Sequence, residues 1–138
     1  MAWLKGFFLL GCCSVASPTF AEVTINDAWV RLLPPMATAT AAYMTLTSDA
    51  NDKLISVTSH QASKVELHQS RMVNGMMSMR HVESIDIHQN ETLALRPKGY
   101  HLMVKGLQKT LKEGERFTFT FLFETAGKIE VTAPVERR

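Results

Sequence analysis

Four residues in the middle and later parts of the chain could bind a soft metal ion together: His68, Met79, His101 and Met103. Ten residues separate His68 from Met79, twenty-one separate Met79 from His101, and one separates His101 from Met103. The last pair lies in an apolar run, Tyr-His-Leu-Met-Val-Lys, that alternates like a β-strand. Residues i and i+2 of a strand point to the same face, which would set an imidazole beside a thioether. That ligand pair suits Cu(I) and suits Mg²⁺ or Ca²⁺ badly. Around His68 the alternation sends Val65 and Leu67 to one side, and Lys64, Glu66 and His68 to the other. His68 is therefore expected off the core face. All four ligands are neutral near pH 7. A site without thiolates adds no negative charge and can release its ion to a thiolate-bearing acceptor, which fits a carrier better than a store.

Short alternating runs would have to position these residues. Strands are expected over residues 23–31, 40–48, 53–59, 64–69, 77–82, 91–95, 100–105, 117–124 and 128–132. The clearest is Phe-Thr-Phe-Thr-Phe-Leu-Phe-Glu, whose four phenylalanines recur at period two and must share the core face. Asn74-Gly75 marks a hairpin, because both residues tolerate positive φ. That hairpin would carry Met79 back beside His68. Its register is open at this level, so Met76 or Met77 could assist or stand in for Met79. Residues 32–39 contain Pro34 and Pro35, which cannot donate to a ladder, and are expected as a loop or crossover. No apolar period of 3.6 residues is sustained in the body of the chain. Many short strands between turn signals predict one all-β domain, a sandwich or barrel.

The N-terminus differs from the rest. Lys5 precedes an apolar run over residues 6–16, and Ser17-Pro18-Thr19-Phe20-Ala21 forms a small-residue exit. Residues 1–21 thus read as an export signal peptide, leaving a domain over 22–138, with cleavage after Ala21 or, alternatively, Ala16. Leu9-Leu10-Gly11-Cys12 loosely resembles a lipobox, so lipid anchoring at Cys12 is a lesser alternative. Both cysteines, Cys12 and Cys13, lie in this leader. Its removal excludes a disulfide framework, a cysteine nucleophile and the cysteine ligand of a blue-copper centre. A net charge of +2 gives no reason to expect a nucleic-acid partner. No stretch of the mature chain is long enough to span a membrane. Neither a GxSxG elbow nor a metal-hydrolase motif occurs, so the chain is not expected to be an enzyme. His60, His81 and His88 are expected to be solvated surface histidines. The competing reading treats the methionines as gap-fillers or a partner patch and the protein as a metal-independent β-sandwich interaction module of the cell envelope.

The spacing of His68, Met79, His101 and Met103 resembles that of the periplasmic copper chaperones of the PCuAC type. Asp27-Ala28-Trp29-Val30-Arg31, Pro34-Pro35, Ala41-Ala42-Tyr43-Met44 and Val65-Glu66-Leu67-His68 resemble segments of that family in the same order. The resemblance implies a cupredoxin-like Greek-key β-sandwich holding one Cu(I) at a surface site made by those four residues. It implies a periplasmic carrier that passes copper to the dinuclear copper centre of cytochrome c oxidase, directly or through a second chaperone; the carrier is expected to act as a monomer. Two departures stand out. Gln69 follows the first histidine, where family members often have methionine. The chain ends Ala133-Pro134-Val135-Glu136-Arg137-Arg138, without the His/Met-rich tail that gives some members a second copper site.

Overall fold

The described residues form ten strands, nine of them in the alternating runs: β1 (Val23–Arg31), β2 (Ala39–Ser48), β3 (Asp52–Thr58), β4 (Ala62–Val73), β5 (Met76–His81), β6 (Ile85–Ile87), β7 (Thr92–Leu95), β8 (Tyr100–Leu107), β9 (Arg116–Phe123) and β10 (Gly127–Glu136). This computed structural model describes residues 11–15 and 22–138, and no helix occurs among them. The leader expected over 1–21 lies outside the described residues except at 11–15, where Cys12 and Cys13 are exposed.

The ladder runs β5-β4-β8-β7-β2-β1-β10-β9-β3-β6, and β8 also pairs with β2. It folds into two layers. One holds β5, β4, β8, β7, β2 and β1, the other β10, β9, β3 and β6, and the parallel pairing of β1 with β10 joins them. Between the layers, Phe117, Phe119, Phe121 and Phe123 of β9 meet Met44, Leu46, Leu102 and Val104 of the opposite sheet in one buried cluster. The shared face expected for the four phenylalanines is the core face, and adjacent rings lie 4.9 to 6.3 Å apart between centroids.

Several strands differ from the sequence expectation at their ends. The three-residue β6 is too short for alternation to reveal, and its buried Ile85 and Ile87 join the core only because β3 pairs with it. On β4 the strand continues through the polar Ser70 and Arg71 because β5 pairs with them. β10 continues past Thr132 through a proline. Pro134 is tolerated because the hydrogen bond to β9 there is donated by Val135 N–H to the Glu115 carbonyl at 2.8 Å, while pairing with β1 starts only at Val135. Residues 32–38 form the expected loop. The Asn74-Gly75 turn has φ of 51° and 77°, the left-handed pair that a two-residue hairpin of matching twist requires.

Gly106, at φ 65°, lets β8 pass close to β4: a Cβ there would lie 2.6 Å from the Ser63 Cβ and would also clash with its hydroxyl oxygen. Gly106→Ala is expected to destabilise the domain by about 1–3 kcal/mol, through left-handed strain and overpacking together. Urea denaturation measures this, and a midpoint equal to that of the parent would contradict it.

Candidate metal centre

β4 lies between β5 and β8, and its outward face carries the chemistry. In the ladder His68 stands directly opposite His101 of β8 and opposite His81 of β5. The His68 ring centroid is 5.9 Å from that of His101 and 5.9 Å from that of His81. Met103, two residues beyond His101, projects from the same face and stands opposite Glu66 of β4 and Ala41 of β2. Leu67, Leu102 and Val104 alternate with these residues and enter the core, which locks the register: a one-residue slip would turn the imidazoles inward.

The hydrogen bonds of the two imidazoles set their tautomers. His101 Nδ1–H donates to the Gly99 carbonyl at 3.1 Å, so Nε2 carries the lone pair. His68 Nε2–H donates to Glu66 Oε2 at 2.8 Å, leaving the lone pair on Nδ1. His68 Nδ1 and His101 Nε2 are the buried side-chain nitrogen or oxygen atoms without a hydrogen-bond partner among the described residues. A buried polar atom is ordinarily paired, so two unpaired lone pairs on facing imidazoles fit a ligand that accepts both.

Glu66 anchors this arrangement. Its carboxylate also receives Lys64 Nζ at 2.8 Å and Lys105 Nζ at 2.9 Å. Hydrogen bonds from Lys64, Lys105 and His68 hold its pKa well below the usual carboxylate range. The carboxylate is thus committed to two ammonium groups and an imidazole, and its part is to orient His68. Glu66→Gln is expected to weaken metal binding at His68 by about tenfold and to release the ring's tautomer preference. Nitrogen-15 shifts of His68 would show that release; an unchanged Nε2–H tautomer would contradict it.

His101 is 3% exposed. Burial lowers its pKa below the ordinary 6.5, and the neighbouring His68 lowers it further, against an opposing effect of the bond to Gly99. The unfolded chain therefore takes up a proton at this residue at higher pH than the folded one. The stability His101 contributes in the metal-free protein is complete above pH 6.5 and is lost as pH falls through its depressed folded value. Denaturation midpoints measured from pH 7.5 down to 5 test this, and a His101→Phe variant should lose that part of the slope.

The methionines divide by register. Met79 stands opposite Ser70, and Met77 opposite Met72, so both share the face of His68, whereas Met76 pairs with Val73 on the other face. The hairpin register thus places Met77, and not Met76, on the face of His68. Met79 is 57% exposed and His101 is buried, so the set reaches inward from the surface. An open depression of about 450 Å³ lies over this face, lined by Tyr43, Ser70, Met77, Met79, His101 and Met103 among others, with Arg31 and Lys98 in its walls. His68 is not part of that lining; it stands beside Glu66. Sequence reasoning gave Glu66 no role and took His81 as solvated, whereas the structure sets both beside His68. Glu66 was legible as the same-face residue two before His68, but His81 needed the hairpin register.

A two-layer cupredoxin-like β-sandwich with facing imidazoles and thioethers on its outer face defines a domain of the PCuAC type. Solved structures agree with that class. The apo form of DR1885 from Deinococcus radiodurans is 30% identical, with a TM-score of 0.65 and coverage of 100% of this chain and 96% of that one. The CuI form of DR1885 is 29% identical over 91% of this chain and 84% of that one, with a TM-score of 0.66. A copper-bound PCuAC domain from PmoF2, 23% identical, shares the fold with a TM-score of 0.71 over 88% of this chain and 97% of that one. A chain of Leifsonia xyli subsp. xyli named "Putative lipoprotein Lxx21020" is 29% identical over 133 residues, covering 90% of this chain and 80% of the relative. The chain belongs to the LpqE-like family, whose model, described as "Putative lipoprotein LpqE-like", matches residues 23–135.

Proposed function

We propose that this protein is an exported copper carrier, not an enzyme, that binds one Cu(I) through His68, Met79, His101 and Met103. The observation that carries the reading is the pair of unpaired buried lone pairs, His68 Nδ1 and His101 Nε2, on facing strands. Met103 and Met79 add thioethers on the same face, which favours Cu(I). The existence of a CuI form of DR1885 supports the same cargo. A leader over 1–21 would deliver the chain to the periplasm, and the lipoprotein descriptions of its family and of the Leifsonia relative support envelope residence, with Cys12 as the alternative anchor. The acceptor we propose is a copper-accepting protein in the assembly of cytochrome c oxidase, an oxidase subunit or a second chaperone, with a thiolate-bearing site that can take the ion from neutral ligands.

The test is an anaerobic Cu(I) competition titration of residues 22–138 against a colorimetric chelator. One tightly held equivalent, bound in preference to Cu(II), is the expected result. No retained copper would overturn the reading and leave the metal-independent interaction module in its place.

A further inference from the structure

We infer that His81 is a third imidazole ligand and gives this site a separate Cu(II)-binding state, held by His68, His81 and His101; the inference rests on the copper reading above. The three rings form a row across β5, β4 and β8, with His68 in the middle and both neighbours at 5.9 Å. Val82 N–H donates to the Leu67 carbonyl at 2.9 Å, which makes Leu67 and Val82 a hydrogen-bonded pair. The next pair along, His68 and His81, is then of the narrow type, whose side chains approach most closely. An imidazole nitrogen sits about 2.0 Å from its metal, so each ring centroid lies about 3 Å from the ion, and two rings on one ion lie about 5 Å apart. Both spacings to His68 are within a side-chain rotation of that value, and His81 and His101, on the strands either side of β4, would converge on the ion over His68. His81 is exposed and so has room to rotate, whereas His101 is buried and keeps Nε2 unpaired.

The chemistry separates the two states. Imidazoles suit Cu(II), which accepts nitrogen donors in tetragonal geometry, while thioethers suit Cu(I). Met79, opposite Ser70, and Met103, opposite Glu66, flank the imidazole row from its two sides, and His81 continues the row onto the edge strand, so one face offers two overlapping donor sets. Glu66 does not compete for the ion, because Lys64, Lys105 and His68 already occupy its oxygens. Among first-row divalent ions Cu(II) binds such a nitrogen set most tightly, ahead of zinc.

The experiment uses the full chain with Cys12→Ser and Cys13→Ser, which removes both thiols, and compares it with the same chain carrying His81→Ala. One equivalent of Cu(II) is added, and electron paramagnetic resonance reads the number of coupled nitrogens. The parent should show three, and the His81→Ala protein two, with Cu(II) affinity lower by about tenfold or more and Cu(I) affinity unchanged. His81 is on the exposed edge strand, so the variant should keep its thermal midpoint. Identical Cu(II) spectra and affinities in parent and variant would overturn the inference while leaving the Cu(I) reading intact. Failure of the parent to hold Cu(I) would overturn the copper reading, and the inference with it.

Discussion

Replacing His101 with alanine is expected to weaken Cu(I) binding by about a hundredfold or more. The ring carries one of the two unpaired buried nitrogens, and its other nitrogen is held by the Gly99 carbonyl, so its orientation is set before any ion arrives. Tyr43, whose ring centroid is 6.5 Å away, lacks a soft donor and cannot take its place. The domain itself should survive. His101 is buried against the outer face of its sheet, while the flanking Leu102 supplies the core contact and remains in place. The loss of folding stability is expected to be about 1–2 kcal/mol, from a small cavity and the lost hydrogen bond to the Gly99 carbonyl, which keeps its bond from Ser70 N–H. Competition titration and urea denaturation of the same preparation separate the two effects. Parental Cu(I) affinity in the variant would remove His101 from the site.

The largest expected effect on stability lies on the opposite sheet. Phe119 is fully buried between Phe117, 4.9 Å away, and Phe121, 6.3 Å away. Phe119→Ala removes a ring from the centre of the interlayer core and leaves a cavity that β9, paired on both sides with β10 and β3, cannot collapse to fill. The expected cost is about 3–5 kcal/mol. A domain of this size is stable by about 5–15 kcal/mol, so the variant should unfold at a much lower urea concentration. Within the range where it stays folded it should bind Cu(I) like the parent, because β9 contributes nothing to the outer face of the other sheet. A change in denaturation midpoint no larger than that of an exposed substitution would contradict the placement of Phe119 in the core.

Much of this arrangement is local, and local patterns are legible. Alternation over Phe117–Phe123 identifies a core strand, because period two is a property of the strand backbone itself. The same rule places His101 beside Met103 and sends His68 away from Leu67. Positive φ at Asn74 and Gly75 follows from residue type, and the break at Pro34-Pro35 follows from a missing donor. The sequence by itself thus determined an all-β domain, its main strands, and the four residues expected to serve as soft ligands. Tertiary structure alone decided which strands became neighbours. That β4 lies between β5 and β8, so that His68 meets His101 on one side and His81 on the other, depends on pairings between distant segments. The choice between Met76 and Met77, the capture of His68 by Glu66, the burial of His101 and the closure of β1 onto β10 depend on such pairings too. The physical reason is that register comes from burying one whole face of each sheet against the other, a condition that no single segment of the chain can meet alone.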